Sequence, residues 1–410
     1  MSGGVSGAAV RTVLRRLEAG RLEVVDRGRR IVFGPPAADL RATVTVNDPA
    51  AWRGPLHGSL GLGEAYVDGA WDTDDLVALI RIAARELREL DGLRGAVARP
   101  RGLLHRVAHA VPASTRSRAR ENISAHYDLG NQLFASFLDE RMMYSCAYFP
   151  DPGASLEEAQ LAKLERICRR LELGPETHLL EIGTGWGGLA VHAAANYGCP
   201  VTTTTISHEQ HELALRRVRE AGLEDRVTVL LRDYRDLDGS FDRLVSVEMI
   251  EAVGWRDFGL FFHRCSELLA PDGLMLLQAI TIDDRAYEVE KASRSFANTH
   301  VFPGGCLPSL PVIQRNVEEH TDLRPVWLDD ITDHYVTTIA RWREAFERNA
   351  GRATELGYDE PFRRMWRLYL AYVEAGFAER RIGDVQLLLA KPDWQGAAVP
   401  VSNAGAAAAA

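Results

Sequence analysis

The run 179–188 constrains the fold of this chain more than any other stretch. It reads Leu-Leu-Glu-Ile-Gly-Thr-Gly-Trp-Gly-Gly, a short apolar stretch that leads directly into a glycine-rich turn and then into a helical pattern over 189–195. Glycine adopts backbone conformations that other residues avoid, and it lets a ligand approach the main chain closely. A strand, a glycine turn and a helix in this order are typical of doubly wound α/β sheets that bind nucleotide-like ligands.

The spacing of the glycines narrows the choice of ligand. Gly183, Gly185, Gly187 and Gly188 do not form the G-x-G-x-x-G pattern that holds a pyrophosphate, and no Gly-Lys-Ser/Thr follows to hold a triphosphate. Glu181 places a carboxylate beside the turn, and an acid followed by G-x-G-x-G favours S-adenosylmethionine. The alternative is a glycine-rich turn of the kind found in any doubly wound sheet.

Strand and helix patterns alternate from residue 121 onward. Strands are predicted at 179–182, 201–205, 227–231, 243–247, 274–280 and 385–390, and helices at 158–172, 188–196, 208–221 and 256–269. This alternation predicts a parallel sheet that is covered on both faces and binds ligands at the carboxyl ends of its strands. The glycine turn follows such a strand end.

The composition changes along the chain and divides it into segments. A length of 410 residues allows two domains at roughly 100 to 200 residues each. We predict a small α+β domain over 1–91, a basic linker over 92–120, an α/β domain over 121–395 with an inserted segment over 281–380, and a disordered tail over 396–410.

The inserted segment is rich in aromatic residues at helical spacing. These are Trp342, Phe346, Phe362, Trp366, Tyr369, Tyr372 and Phe377. Aromatic residues at this spacing are usually part of a hydrophobic core, which is the interpretation that we favour. The alternative is that they line a tunnel for an acyl chain.

Charge is unevenly distributed. The formal net charge of −9 argues against a general nucleic-acid binder. Between Asp91 and Glu121 there is no acidic residue, and this stretch contains Arg94, Arg99, Arg101, Arg106, Arg116, Arg118 and Arg120. Apolar residues recur at helical spacing within it, so it can lie on an anionic membrane surface. A solvated linker between domains is the alternative.

The cysteines and the apolar runs indicate a cellular compartment. The five cysteines are odd in number and lack C-x-x-C spacing, which argues against a disulfide framework and against a zinc site. No apolar run approaches the roughly 20 residues that span a bilayer, and the N-terminus lacks the apolar core of a signal peptide. We expect a cytoplasmic protein without a bound metal.

Polar residues follow the second and third strands of the predicted sheet. Methyltransferases of this fold usually place an acid at the tip of the second strand to bind the ribose hydroxyls, but this strand continues into Thr205, Ser207 and Gln210. These three side chains are therefore expected to make the polar contacts. Asp233 follows the third strand, where it can accept a hydrogen bond from an adenine amino group. A solvated aspartate is the alternative.

Several sequence blocks together resemble the cyclopropane fatty-acid synthase family. They are Glu-Ala-Tyr-Val-Asp-Gly-Ala-Trp at 64–71, Ala-His-Tyr-Asp-Leu-Gly-Asn at 125–131, Met-Tyr-Ser-Cys-Ala-Tyr-Phe at 143–149, Phe-Pro-Gly-Gly-Cys-Leu-Pro-Ser at 302–309 and His-Tyr-Val-Thr-Thr at 334–338. The resemblance covers about residues 55–390, with the order and spacing of the blocks kept. It implies an α/β fold, with a Rossmann-like class I methyltransferase domain and a smaller N-terminal α+β domain.

The resemblance implies a reaction and a location. Members of the family transfer the methyl group of S-adenosylmethionine to a cis double bond of a phospholipid acyl chain, through a carbocation that loses a proton and closes a cyclopropane ring. It also implies a peripheral protein on the inner membrane face, lipid docking by the first domain, an acyl pocket in the inserted segment and a homodimer.

Three alternatives to a cyclopropane product stay open. The patterns Val-Ser-Val-Glu-Met-Ile-Glu-Ala-Val-Gly at 245–254 and Gln-Ala-Ile-Thr at 278–281 look closer to an actinobacterial branch, in which a hydride shift leads to a methylene- or methyl-branched chain. The other two alternatives are a soluble small-molecule acceptor, because the fold hosts many chemistries, and a lipid-binding protein without activity.

The resemblance also implies site residues. For the cofactor they are Tyr127, Tyr144, Ser145, Gly183, Gly185, Thr205, Ser207, Gln210, Asp233 and Tyr234. For a bicarbonate that accepts the proton they are Cys146 and Ile280, through the backbone, and the side chains of Glu251, Gln278 and Tyr335.

Three of these positions need comment. Gln278 replaces the histidine that the family uses, and an amide can donate a hydrogen bond but cannot become cationic. Glu251 follows a strand, and an acid favoured by a helix N-terminus is the structural alternative for it. For Tyr335 the alternative is a buried packing residue.

Overall fold

The structure is a computed structural model that describes residues 4–87, 130–291 and 293–396. Its strands are β1 (Arg21–Asp26), β2 (Arg29–Phe33), β3 (Arg41–Val46), β4 (Trp71–Thr73), β5 (Leu179–Ile182), β6 (Val201–Thr205), β7 (Val227–Leu231), β8 (Phe241–Val247), β9 (Leu269–Ile282), β10 (Arg324–Asp330) and β11 (Ile382–Ala390). Its helices are α1 (Gly4–Leu14), α2 (Gly58–Val67), α3 (76–87), α4 (Asn131–Ala135), α5 (Leu156–Arg170), α6 (Gly188–Tyr197), α7 (His208–Glu220), α8 (Phe258–Leu268), α9 (Asp284–Glu290), α10 (Leu310–His320), α11 (Thr332–Arg348), α12 (Ala350–Glu355) and α13 (Glu360–Ala378).

The chain forms two compact units. Unit 1 combines the described parts of Met1–Val111 with Ile282–Pro303 and Ile339–Ile382. Unit 2 combines the described parts of Pro112–Thr281 with Gly304–Thr338 and of Gly383–Ala410. The glycine turn and the residues predicted for the anion site all belong to unit 2.

Unit 2 is built on a seven-stranded sheet with the order β10-β11-β9-β8-β5-β6-β7. The pairs β5/β6, β6/β7, β5/β8 and β8/β9 are parallel, so the carboxyl ends of these strands meet at one edge of the sheet. This is the Rossmann-like α/β fold expected from the alternating pattern, and the first three predicted strands agree with the observed bounds residue for residue.

The sheet is mixed, which corrects the prediction of a parallel sheet. β10 pairs with β11 in antiparallel orientation at the sheet edge. The sequence Arg-Pro-Val-Trp-Leu-Asp-Asp of β10 has no buried apolar face and carries a proline, which is tolerated at an edge. The strand was therefore missed, because apolar alternation was the signal used to find strands.

Both faces of the sheet are buried, as predicted. Leu179 packs into one apolar cluster with residues of α5, α6 and α7, whereas Leu180 and Ile182 pack into a second cluster with residues of α8 and α10. Successive side chains of a strand point to opposite faces, so a strand covered on both sides has a continuous apolar sequence. This arrangement holds the carboxyl end of β5, and hence the turn, in a fixed position.

Unit 1 contains a four-stranded sheet with the order β2-β1-β3-β4. β1 alternates between buried and half-buried residues, and its Leu22 and Val24 pack with Val10 of α1 and with Trp52. These elements form the small α+β fold that was predicted for the N-terminal part of the chain.

Parts of the predicted inserted segment pack with the N-terminal residues inside unit 1. Arg364 of α13 donates hydrogen bonds to the carbonyl oxygens of Tyr66, at 2.7 Å, and Trp71, at 2.9 Å. The predicted boundaries at 91, 120 and 395 stay predictions. The basic linker over 92–120 and residues 397–410 of the predicted tail lie outside the described residues.

The aromatic residues of the inserted segment are mostly core residues. Trp342, Phe346, Trp366 and Phe377 are at most 1% exposed, and Tyr369 is also buried. Phe362 is half-buried and stacks on Trp366, with ring centroids 5.8 Å apart. The packing interpretation is therefore confirmed for these positions.

Candidate active site

The glycine turn lies between the end of β5 and the start of α6. Gly183, Gly185 and Gly187 have φ of 103°, 51° and 87°, which are left-handed conformations that favour glycine. A Cβ at Gly183 would lie 3.2 Å from the Cγ of Met249, whereas a Cβ at Gly185 would meet no atom within 4 Å. The turn therefore needs glycine for its backbone, and Gly185 presents an open side.

A cavity opens beside this turn. Eight of the residues predicted for the cofactor line it, namely Tyr144, Ser145, Gly183, Gly185, Thr205, Gln210, Asp233 and Tyr234. They come from the carboxyl ends of β5, β6 and β7, from the first turn of α7 and from the segment before α5. The cavity and these residues fit an adenosyl ligand, because polar groups and backbone converge at the strand ends where such folds bind nucleotides.

Ser207 does not belong to this lining. Ser207 is buried at the start of α7, where its hydroxyl accepts a hydrogen bond from the backbone N–H of Gln210. A serine at this position stabilises the helix end, and this explains the residue without a ligand. Tyr127 lies outside the described residues.

Asp233 is held by Arg235. The guanidinium donates to both carboxylate oxygens, at 2.9 Å from Nε and 2.6 Å from Nη2. The aspartate is thus ion-paired rather than merely solvated, and its Oδ1 also accepts from the backbone N–H of Arg235 at 3.0 Å. Its contact with an adenine amino group stays a prediction. Burial raises the pKa of the neighbouring Tyr234, which keeps its hydroxyl neutral.

Glu181 contributes a buried carboxyl group to the turn side of the cavity. It accepts a hydrogen bond from the hydroxyl of Thr203 at 2.6 Å, and burial raises its pKa to about 8. A carboxyl group with this pKa is mostly protonated at neutral pH. The acid noted before the glycine turn is therefore neutral there.

Glu248 is the centre of the other side of the cavity. Its Oε1 accepts hydrogen bonds from the backbone N–H of Cys146 and from Nε2 of Gln278, both at 2.8 Å. Its Oε2 accepts from the hydroxyl of Tyr335 at 2.5 Å. The structure therefore brings together three of the residues predicted to bind bicarbonate, and it places a side-chain carboxylate between them.

The sequence prediction missed Glu248. The signal was present, because Glu248 is an acid directly after β8, at the same sheet edge as the glycine turn. It also has a φ of 49°, an uncommon conformation for a residue with a Cβ. Of the two acids in this segment, only Glu251 was given a role.

Glu251 faces β9 from a short turn over Ile250–Ala252. Its Oε1 accepts a hydrogen bond from the backbone N–H of Ile280 at 2.5 Å, and its buried Oε2 has no partner among the described residues. Burial, followed by repulsion from Glu248, raises the pKa of Glu251 to about 8. Glu251 is thus a neutral acid at pH 7, and it does not cap a long helix.

The orientation of Gln278 is fixed by a chain of hydrogen bonds. Arg166 can only donate, and its Nε binds Oε1 of Gln386 at 2.8 Å. Nε2 of Gln386 then donates to Oε1 of Gln278 at 3.0 Å, which turns Nε2 of Gln278 towards Glu248. The amide is therefore a donor to the carboxylate and cannot be flipped without losing two bonds.

Two further buried ionisable residues, Asp384 and Lys163, belong to this cluster. Asp384 of β11 accepts from Nε2 of Gln278 at 3.2 Å, and burial together with repulsion from Glu248 raises the pKa of Asp384 well above its ordinary value. Nζ of Lys163 donates to the hydroxyl of Ser145 at 2.6 Å, and burial lowers its pKa. Neither residue was predicted from the sequence.

Burial raises the pKa of Glu248 as well, but its three donors favour the ionised form. Asp384 accepts from Nε2 of Gln278, and its hydrogen bond with Glu248 raises the pKa of Asp384 further. The negative charge of this cluster therefore belongs to Glu248, and buried Lys163 favours the ionised form of this carboxylate.

Bicarbonate does not fit these donors as they are arranged. The donors of Cys146, Gln278 and Tyr335 are satisfied by Glu248, and the N–H of Ile280 is satisfied by Glu251. A second anion at the same donors would compete with Glu248 and would be repelled by it.

In the described parts of the chain, no helix is both long enough and apolar enough to cross a membrane.

Comparison with known proteins gives consistent results. The family model for mycolic acid cyclopropane synthetase matches residues 114–387. The tuberculostearic acid methyltransferase UfaA1 of Mycobacterium tuberculosis is 41% identical over 351 residues, which cover 83% of this chain and 82% of that protein. The cyclopropane-fatty-acyl-phospholipid synthase of Escherichia coli is 38% identical over 368 residues, covering 89% and 90%.

Solved structures agree with these relatives. The mycolic acid cyclopropane synthase CmaA1, in complex with SAH and CTAB, superposes with a TM-score of 0.62 at 31% identity. The match covers 66% of this chain and 98% of that one. The cyclopropane synthase MmaA2 of Mycobacterium tuberculosis gives a TM-score of 0.63 at 30% identity, with the same coverage.

Proposed function

This chain belongs to the mycolic acid cyclopropane synthetase family, and from that premise we propose that it methylates a cis double bond in the acyl chain of a membrane phospholipid. It is an S-adenosylmethionine-dependent methyltransferase that acts on lipid double bonds. The observation that carries the finer proposal is a single cavity, which reaches from the glycine turn to the carboxylate of Glu248.

The lining of the cavity suits a reaction with an alkene. An alkene is a weak nucleophile, so the two reactants must be aligned in a dry pocket. Much of the lining is apolar, with Met143, Ile182, Val247, Met249 and Val253. When bound, S-adenosylmethionine supplies an electrophilic methyl group on a sulfonium centre. The residues of the chain exclude water and hold the acyl chain against this centre.

Aromatic rings at the cavity can stabilise the positive charge that forms on the acyl chain. Tyr144 and Trp186 line the cavity, and both pack against Phe134, with ring centroids 5.3 Å and 5.0 Å apart. Such packing fixes the orientation of the rings. A fixed aromatic face attracts a cation within about 6 Å without any reorganisation at the moment of reaction.

The product that we propose is a cyclopropane fatty acid, formed when the new methyl group loses a proton and the ring closes. A methylene-branched chain is the second candidate, in which a hydride shift precedes the loss of the same proton. The observation that favours this candidate is the 41% identity to a protein named tuberculostearic acid methyltransferase. The acceptor is an unsaturated phospholipid, reached by peripheral binding to the inner membrane face.

Mass spectrometry of fatty-acid esters tests the proposal. A bacterial host rich in oleoyl phospholipids expresses the chain, and we expect a mass gain of one CH2 in the unsaturated esters. Fragmentation then separates the cyclopropane from the methylene product. Unchanged esters, with folded protein that binds SAH, would contradict the proposal and favour a soluble acceptor.

A further inference from the structure

The carboxylate of Glu248 lies at the position for which the family resemblance implies a bound bicarbonate. The N–H of Cys146, the amide of Gln278 and the hydroxyl of Tyr335 all donate to its carboxylate. We propose that the Glu248 carboxylate replaces bicarbonate in this chain and is the base that removes the proton after methyl transfer. This assignment rests on the proposed function, because it supplies the base for that reaction.

The surrounding structure holds these donors in orientations in which they bind Glu248. The N–H of Cys146 belongs to the backbone, and the amide of Gln278 is oriented by Gln386 and Arg166. A donor set fixed in this way binds one carboxylate-sized anion. In this chain that anion is covalently attached, so its effective concentration does not depend on dissolved carbonate.

The backbone at Glu248 supports a functional role independently of these contacts. Its φ of 49° is left-handed, and its N–H donates to the carbonyl oxygen of Gln278 at 2.8 Å. A residue with a Cβ keeps this conformation only where its surroundings enforce it, and such residues cluster at active sites. The conformation turns the carboxylate back towards the donors and into the cavity that it lines.

The charges around Glu248 suit a base that works inside a protein. Burial raises the pKa of Glu251 to about 8 and the pKa of Asp384 well above its ordinary value, which favours the neutral form of both acids, whereas Lys163 favours the ionised form of Glu248. A carbocation in the cavity therefore faces one carboxylate rather than three. The negative charge of Glu248 also stabilises the positive charge that develops on the acyl chain.

The proton transfer balances with residues of this chain alone. After methyl transfer, the acyl chain carries one positive charge on the carbon next to the methylated carbon. An oxygen of Glu248 takes a proton from the new methyl group, and the C–H electron pair forms the third C–C bond of the ring. If a hydride shift comes first, the positive charge lies on the methylated carbon, and the same electron pair forms the C=CH2 double bond of the methylene branch. Glu248 becomes a neutral acid and returns its proton to water after the product leaves.

The first test uses the full-length wild-type chain, labelled S-adenosylmethionine and vesicles of oleoyl phospholipid. Buffers are freed of carbon dioxide, and turnover is measured with and without added sodium bicarbonate. We expect the same rate in both conditions. Stimulation of the wild-type chain by bicarbonate would overturn the assignment.

The second test removes the side chain of Glu248. Glu248→Gly removes the carboxylate and relieves the left-handed backbone, and we expect turnover to fall about 100-fold to 10,000-fold, the contribution typical of a general base. Sodium bicarbonate or sodium formate should restore part of the activity. Glu248→Gln keeps the volume of the side chain, so we expect the same loss without rescue. Wild-type turnover by Glu248→Gln would overturn the proposal.

Glu172→Gly is the matched control. Glu172 also has a left-handed φ, of 53°, but it lies after α5 and its side chain contacts Arg243 rather than the cavity. We expect this variant to keep wild-type turnover. A loss like that of Glu248→Gly would attribute the effect to the backbone and overturn the assignment of the base.

Calorimetry gives a measurement that does not depend on turnover. Bicarbonate is titrated into the SAH complexes of the wild-type chain and of Glu248→Gly. We expect binding heat only with the variant, and specific binding to the wild-type chain would overturn the proposal. If the wild-type chain labels no lipid in any buffer, the proposed function fails, while this titration still decides what occupies the donors.

Discussion

The two sides of the cavity are built in different ways. The glycine-turn side comes from neighbours in sequence, because β5, the turn and α6 follow one another within residues 179–197. The Glu248 side comes from distant segments: Cys146 lies 102 positions from Glu248, and Tyr335 lies 87 positions from it. One side depends on backbone shape, and the other depends on hydrogen bonds that stabilise a buried charge.

Because the two sides of the cavity are built differently, substitutions on the two sides should affect different properties of the enzyme. A side chain added on the turn side changes the space and the backbone that a ligand meets, so it should act on cofactor affinity. A donor removed on the Glu248 side changes the stability and the basicity of a carboxylate, so it should act on turnover. Variants that mix the two effects would show that the cavity works as one unit.

Gly183→Val should have the largest effect on the turn side. A valine at a φ of 103° is strained, and its Cβ would approach Met249 at 3.2 Å. We expect SAH affinity to fall about 100-fold, because the free turn relaxes out of the strained conformation, and restoring that conformation on binding costs about 1–3 kcal/mol. Isothermal titration calorimetry measures this directly.

Gly222→Val controls for the strain. Gly222 is also left-handed, at a φ of 65°, but it follows α7 and no atom lies within 4 Å of its Cβ position. SAH affinity should stay unchanged in this variant. An equal loss of affinity in both variants would contradict a local role for the turn.

Tyr335→Phe should have the next largest effect, on the Glu248 side. It removes one hydrogen bond to a charged group and leaves the ring that packs in the core. Such bonds contribute about 1.5–3 kcal/mol, so we expect turnover to fall roughly 10-fold to 100-fold. SAH affinity should change little. Wild-type turnover would show that Tyr335 is only a packing residue.

The turn side of the cavity could be predicted from the sequence more easily than the Glu248 side. The strands β5, β6 and β7 were predicted correctly because their runs are rich in apolar and β-branched residues, which favour strands. The glycine spacing also identified the ligand side, because each glycine acts through its own backbone. These features depend only on residues that are close together in the sequence.

The Glu248 side could be predicted only in part. Gln278 and Tyr335 were found by resemblance. Glu248 was missed although its place directly after β8 was a signal, and Asp384 and Lys163 were missed because nothing local distinguishes a buried ionisable residue from a solvated one. Their roles depend on the pairing of β8 with β9 and on the position of β11 in the sheet. These are long-range contacts that a pattern in one segment does not encode.

Glu251→Gln should make stability less dependent on pH. The folded state holds a proton on Glu251 up to a pKa of about 8, whereas the unfolded chain releases it near 4.5. Wild-type stability should therefore decrease as the pH rises from 4.5 to about 8, and this contribution should stay constant above that range. The variant lacks the contribution, so its melting temperature relative to wild type should increase with pH.

Glu181→Gln provides a comparison from the turn side, because the pKa of Glu181 is also about 8. Melting curves at pH 5 and pH 8.5 check the sign for both variants. We expect a gain relative to wild type that is larger at the higher pH in each case. A gain that decreases as the pH rises would show that these carboxyl groups are ionised in the folded chain.

Ser207→Ala should have the smallest effect and tests where the turn side ends. The hydroxyl of Ser207 caps α7 and does not line the cavity. Loss of such a cap costs about 1 kcal/mol, so we expect a slightly lower melting temperature and unchanged SAH affinity. Ser207→Asp should restore the stability, since aspartate is also a good cap. A clear loss of SAH affinity in Ser207→Ala would place this hydroxyl in the cofactor site after all, and the turn side would then extend from the glycines to the start of α7.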